Sequence, residues 1–259
     1  MRLDLLYEPA GLPAFDLPSA LAAIYAGTLG FDEPRLFANF VATADGVVAI
    51  PAVPQSNKLI AAGSPADRFV MGLLRACADA VVVGSGTVAA SPRGAWTPAQ
   101  AYPDAADAFA ELRAAIGRPR EPEIVFLSAS GGIDPAHPAL AGALVLTTDE
   151  GAARLGDRAR TISLGPELEP AAAVEALRAR GHRLILHEGG PTAIGAFLAA
   201  GLVDELFLTI SPLLAGRTGS DPRLTLVESA DLLPGLAMTV LGVRREGDHV
   251  FLRYAIIQP

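Results

Sequence analysis

Cysteine is nearly absent: Cys77 is the single one in 259 residues. No disulfide can form within the chain, and no cysteine-built zinc site either. Cys77 sits in the apolar stretch LLRACADAVVVG and reads as a small buried hydrophobe. Long apolar runs are missing too. No stretch of about 18 residues avoids charges or breakers, so no membrane span is expected. The opening MRLDLLYEPAGLP does not read as a secretory leader, because Asp4 and Glu8 interrupt its apolar region. There is no basic excess. The formal net charge is −8, which argues against a nucleic-acid partner, since that binding needs a positive footprint to displace counterions. Arginine dominates the basic residues, and a local pair can still hold a small anion. His137, His182, His187 and His249 show no ligand spacing, and His187-Glu188 lacks the second histidine of HExxH. No metal site is expected. GxSxG and GxxxxGK[ST] are both missing. These absences leave a globular protein, expected in the cytoplasm.

What is there is an alternation of strand and helix patterns. RLFANFVAT (35–43) reads as a strand, with a turn at Asp45-Gly46 leading into VVAI. Residues 51–64 read as a loop. Ser64-Pro65 opens a helix with Asp67 in its first turn and Phe69, Val70, Leu73, Leu74 and Cys77 at helical spacing. DAVVVG (79–84) is a short strand of the fully buried kind. Further strands are expected at EIVFLS (123–128), ALVLTT (143–148), RTISL (160–164), RLILHE (183–188), ELFLTIS (205–211) and LTLVES (224–229). Helices are expected over 103–116, 149–156, 169–181 and 191–200. AMTVLGVRRE and HVFLRYAII flank Gly247-Asp248 as an antiparallel hairpin. The pattern predicts an α/β fold with one mixed, mostly parallel sheet flanked by helices. Residues 1–35, with a helical stretch near 18–26, read as an N-terminal extension packed on a main domain of residues 36–259.

Three stretches carry candidate chemistry. In HEGGPT, Gly189 and Gly190 permit close backbone approach, Pro191 suits a first helical position, and the helix N-terminus offers free N–H groups to an anion. Glu188, at the end of a buried strand, must be solvated, paired or bound to a ligand. In VVVGSGTVAA, Gly84-Ser85-Gly86 imitates a dinucleotide fingerprint, but Pro92 and Gly94 leave no room for its crossover helix. What survives is a strand-end loop whose N–H groups and Thr87 hydroxyl can hold phosphate; a plain turn is the alternative. In FANFVATADG, Asn39 and Thr43 share one strand face and could floor a pocket.

ANFVATADG (38–46), DRFVMGLLRACADAVVVGSGTV (67–88) and LHEGGPTAIGAFLAAGLVDELFLTISPLLAG (186–216), in that order, together resemble the pyrimidine reductase family of riboflavin biosynthesis. The resemblance spans roughly residues 36–257. It implies a dihydrofolate-reductase-like fold and an NADPH-dependent conversion of the ribosyl group of a 5-phosphoribosylamino-pyrimidine to ribityl. By that resemblance the cofactor would meet Ala42, Thr43, Gly84, Ser85, Gly86, Thr87, Ser128, Gly189, Gly190, Pro191 and Thr192. Glu188 and Arg75 would face the substrate, with Ser56, Ser64 and Arg93 as further candidates, and Glu188 and Asn39 would serve the chemistry. The family commonly forms homodimers. Asn39 stands where many bifunctional members carry lysine, and resembles the stand-alone type. Ser91 replaces an acid after the glycine loop. The zinc deaminase half of bifunctional members needs P-C-x-x-C, which one cysteine does not supply. A dihydrofolate or other pteridine-like reductase, and a non-catalytic NADPH-binding protein, are the alternatives.

Overall fold

The computed structural model describes residues 1–219 and 222–258. Its strands are β1 (Asp4–Tyr7), β2 (Arg35–Thr43), β3 (Ala80–Gly84), β4 (Glu123–Leu127), β5 (Leu144–Thr147), β6 (Arg160–Ser163), β7 (Leu184–His187), β8 (Glu205–Ser211), β9 (Met238–Glu246) and β10 (His249–Ile256). Among the described residues they form one ten-stranded sheet in the order β1-β9-β10-β8-β2-β7-β3-β4-β5-β6. The run from β8 to β6 is parallel throughout. β10, β9 and β1 close one side in antiparallel pairing. This is the mixed, mostly parallel α/β architecture expected, with the hairpin turning at Gly247-Asp248 because His249 pairs with Glu246.

Both faces of the sheet are covered, which explains the unbroken apolar strands. On one face lie α1 (Ser19–Tyr25), α3 (Pro65–Cys77) and α6 (Ala106–Ala115), packed over Phe37, Val81, Val83, Phe126 and Leu186. On the other lie α8 (Pro170–Ala179) and α9 (Pro191–Ala199), over Leu36, Val82, Val125 and Ile185. Cys77 is buried, and burial pushes its thiol up to about 12. No helix among the described residues is long and apolar enough to cross a membrane.

Several local expectations need correction. VVAI and LTLVES form no strands; they meet only at an Ala49–Leu224 bridge. Beyond it Pro51 and Pro54 remove ladder donors, and the Glu228 carboxylate captures the Thr225 N–H (2.7 Å) into a local turn. Residues 51–64 contain α2 (Ser56–Ile60). The helix expected over 103–116 opens as a 3₁₀ turn (Pro103–Ala105) and continues as α6, and an unexpected short α5 (Pro98–Ala101) precedes it, Pro98 and Pro103 each standing at a first helical position. β1 was not signalled: DLLY is exposed along its whole length and shows no alternation to read. α4 (Ser85–Ala90) and α7 (Asp149–Leu155) complete the helices described.

Candidate active site

β3 and β7 are parallel neighbours, with Val82 opposite His187. Their C-terminal ends therefore release the two glycine corners side by side. A Cβ placed on Gly84 would lie 3.6 Å from the Gly190 nitrogen and 3.9 Å from Gly189 Cα. One placed on Gly190 would lie 3.7 Å from Thr87 Oγ1. At Gly189 it would come within 2.7 Å of the His187 ring, so no side chain fits there. Gly86, in α4, faces open space. His187 is fully buried against Phe197, and burial lowers its pKa to about 3. The ring is thus neutral, and its Nδ1 accepts the Gly189 N–H at 3.3 Å, pinning the corner from beneath.

Three further features face this edge. Gly190 caps α9 with no side-chain hydrogen bond, Pro191 fills the first position and the first turn holds no acid. The early N–H groups and the positive end of the helix dipole are thus left to a ligand. Thr192 is exposed there. Ser128, one residue past the end of β4, is buried, and its Oγ has no hydrogen-bond partner among the described residues.

Glu188 follows β7, and its own N–H donates to Val82 O (2.8 Å). Strand alternation turns its side chain to the α3 face, where Arg75 meets it. Arg75 Nε donates to both carboxylate oxygens at 3.1 Å and Nη2 donates to Oε2 at 2.6 Å. Both side chains are under 10% exposed, at 7% and 9%. Arg75 Nη1 also donates to Thr97 O (3.3 Å), so the guanidinium is fixed on two sides. Asn39 stands beside Glu188 on β2, because Ala38 pairs with His187, and it shares the α3 face.

The remaining candidates occupy local roles. The Thr43 hydroxyl donates to Asp45 and accepts the Val47 N–H, while the Thr43 N–H and carbonyl bond within the same turn. The Thr43 hydrogen bond, with the Ala215 and Gly216 N–H groups, holds the Asp45 carboxyl down at about 2. Ala42, beside it, is buried and paired with Ile210. Ser56 Oγ accepts the Ile50 N–H, and Ser64 Oγ caps α3 by accepting the Asp67 N–H. Arg93 is exposed in the loop after α4, its carbonyl taken by Gln100.

Sequence reasoning passed over one residue of this wall. Asp67 reads as a routine first-turn helix acid, yet its carboxyl is buried, with the Thr209 hydroxyl of β8 beside it. Burial pushes its pKa up to about 6. The signal available was the polar Thr209 inside the apolar ELFLTIS. Among the described residues no cluster of His, Cys, Asp and Glu is arranged to hold a metal ion.

Residues 34–250 match the family described as the RibD C-terminal domain. Over 154 residues the chain is 30% identical to the riboflavin biosynthesis protein RibD of two Mycobacterium tuberculosis strains. That alignment covers 59% of this chain and 36% of those proteins, so the chain spans little more than a third of their length. A pyrimidine reductase-like protein of Corynebacterium diphtheriae superposes with a TM-score of 0.70 at 24% identity, covering 87% of this chain and 93% of that one. RibD of Acinetobacter baumannii gives 0.63 at 21% identity, over 87% of this chain and 59% of that one. The riboflavin biosynthesis reductase Rib7 of Saccharomyces cerevisiae gives 0.58 at 15% identity, over 93% and 95%. At such identities these superpositions speak for the fold alone. The sequence match over residues 34–250 decides membership: the chain belongs to the RibD C-terminal domain family.

Proposed function

We propose that this chain is an NADPH-dependent reductase that converts the ribosyl group of a 5-phosphoribosylamino-pyrimidine to ribityl. The observation that carries this is the adjacency of the two glycine corners to a buried, arginine-held carboxylate at the C-terminal edge of β3 and β7. Ligands of open α/β sheets bind at that edge. The corners suit a pyridine dinucleotide: Gly86 opens outward, the α9 N-terminus is uncapped by side chains, and the buried Ser128 hydroxyl lacks a partner among the described residues. Gly84, Ser85, Gly86 and Thr87 on one side, and Gly189, Gly190, Pro191 and Thr192 on the other, would hold the cofactor, with Ser128 and Ala42 flanking. Phosphate suits the α9 N-terminus. When bound, the nicotinamide supplies a hydride to C1′ of the opened sugar.

The chain's own side chains then position and protonate. Arg75 locks the Glu188 carboxylate in one orientation through a forked contact. Glu188 orients the substrate and relays the proton that must accompany hydride addition, with Asn39 beside it as a neutral donor and acceptor. The phosphorylated pyrimidine and a homodimeric state are supported by the family likeness alone.

NADPH binding by the purified chain, and loss of reduced-nicotinamide absorbance with each candidate substrate, test this reading. Glu188→Gln is expected to retain NADPH affinity while turnover falls on the order of 10²-fold. Unchanged turnover removes Glu188 from the chemistry. Turnover with dihydrofolate alone would make the chain a pteridine-like reductase, and no affinity for NADPH sinks the proposal.

A further inference from the structure

His187 is a polar residue where packing asks for none. It closes β7 after Leu184, Ile185 and Leu186, is fully buried, and has its ring 4.8 Å from that of Phe197 on α9. What the imidazole adds to an apolar side chain is its two nitrogens, and both lie along the glycine corner. Nδ1 accepts the Gly189 N–H at 3.3 Å. A Cβ on Gly189 would stand 2.7 Å from the ring Cε1, 3.2 Å from Nε2 and 3.2 Å from Ala193 Cβ. The Cε1–Nε2 edge is thus aimed at the gap between Gly189 and Ala193, the third residue of α9. Burial keeps the ring neutral, lowering its pKa to about 3, and Nδ1 is an acceptor, so the single proton is on Nε2. That N–H is buried and meets no acceptor among the described residues. A buried orphan donor costs stability. Here the cost is compounded, because the α9 N-terminus, capped by no side chain, presents the same positive sign to the same gap.

We propose that His187 is a positioning residue for the cofactor diphosphate: its Nε2–H and the N–H groups of the first α9 turn form one preorganised positive lining that a bound phosphate compensates. This deepens the reductase reading and rests on it for the identity of the anion. The ring does not touch the phosphate. It holds Gly189 through Nδ1, and its N–H dipole acts from beneath the corner, where the low dielectric of the interior strengthens a fixed dipole. The unliganded protein carries the orphan donor as a cost, and the liganded protein recovers it. Leucine in place of His187 removes that orphan, frees the Gly189 N–H instead, and buries more apolar surface. It should therefore leave the unliganded fold as stable or more so, yet weaken anion binding. A packing role predicts that stability and affinity fall together.

His187→Leu and His187→Gln differ in polarity at similar size, and Gln places an amide N–H near the Nε2 position. NADPH and inorganic pyrophosphate are titrated calorimetrically into the full chain and both variants, with thermal melts alongside. His187→Leu should melt at or above the wild-type temperature and raise both dissociation constants at least about fivefold. His187→Gln should recover most of that loss. Unchanged affinity in His187→Leu overturns the proposal, and so does a loss that a folded His187→Gln leaves unrepaired. So does a His187→Leu variant that both melts lower and binds more weakly, since packing alone would give that result. If His187→Leu does not fold, the ¹⁵N-histidine NMR spectrum of the wild type decides. It must place the ring proton on Nε2, and that resonance must move when either probe is added; a proton on Nδ1 or an unmoved resonance overturns the assignment. The two probes separate the two readings. Pyrophosphate binding that depends on His187, without NADPH affinity, keeps His187 and sinks the reductase. NADPH affinity indifferent to His187 does the reverse, and no wild-type affinity for either probe sinks both.

Discussion

At the residue scale, the two carboxyls of the wall should respond to mutation in opposite senses. Glu188 is satisfied by Arg75, and removing it leaves a buried guanidinium without its partner. Glu188→Ala is therefore expected to destabilise the fold by about 3 kcal/mol, visible as a lowered midpoint in chemical denaturation. Asp67 carries strain of the other kind. Burial raises its folded pKa to about 6, above its unfolded one. Its contribution is thus fully present below the unfolded value and is lost as pH rises through about 6. Asp67→Asn does not titrate, so its stability relative to the wild type should grow between about pH 4 and pH 7, by on the order of 2–3 kcal/mol. Denaturation at several pH values checks this, and a flat difference would contradict the burial of the charge. The sequence made Glu188 legible, because a carboxylate ending an apolar strand stands out. It hid Asp67, because an acid in a first helical turn is ordinary unless the capping N–H is seen to be taken.

At the element scale, α3 is the beam that carries both Asp67 and Arg75, and its far end is held by an unusual device. Arg113, from α6, is buried, and its Nη1 donates to the carbonyls of Arg75 (3.3 Å), Ala76 (3.0 Å) and Ala78 (2.7 Å). The last two are carbonyls at the helix C-terminus, while Arg75 O also accepts the Ala78 N–H (3.3 Å). Gly72 lets the two helices close up, since a Cβ there would lie 2.8 Å from the Phe109 ring. Arg113→Met should cost about 3 kcal/mol by removing the donor to the Ala76 and Ala78 carbonyls, read as a lowered melting temperature. The glycine corners make a different prediction. Gly86 lies inside α4 and faces open space. Gly86→Ala should stabilise the fold by roughly 0.5 kcal/mol while weakening NADPH binding, and thermal melts run beside a cofactor titration check both signs. Long periodic elements such as α3, β8 and the terminal hairpin were legible because burial repeats along them. Segments with one contact apiece, the Ala49–Leu224 bridge and α2, gave no period to read.

At the scale of the whole molecule, the N-terminal residues are built into the sheet that supports the site. β1 pairs with β9, so the first strand of the chain is the outermost strand of the antiparallel side. Arg244 of β9 is the rivet. It is buried, lies 4.0 Å over the Tyr25 ring, donates from Nε to the carbonyls of Tyr25 (3.1 Å) and Ala26 (2.8 Å), and is paired with Glu8. Burial pulls the Glu8 pKa upward, but the Thr28 hydroxyl and N–H and the Arg244 guanidinium outweigh it, leaving the pKa lowered. A depressed carboxyl adds stability above its unfolded pKa and loses it as pH falls through the folded value. None of this was readable from residues 1–35, since Glu8 and Arg244 are joined only by the fold. Glu8→Gln should therefore lower the melting temperature at neutral pH and leave the variant and wild type alike in strong acid. The lost charge pairing bears on β1, α1 and β9, far in sequence from Gly190 and Thr192. NADPH affinity of the folded Glu8→Gln variant should thus match the wild type, and a parallel loss of affinity would mean that the extension shapes the cofactor edge directly.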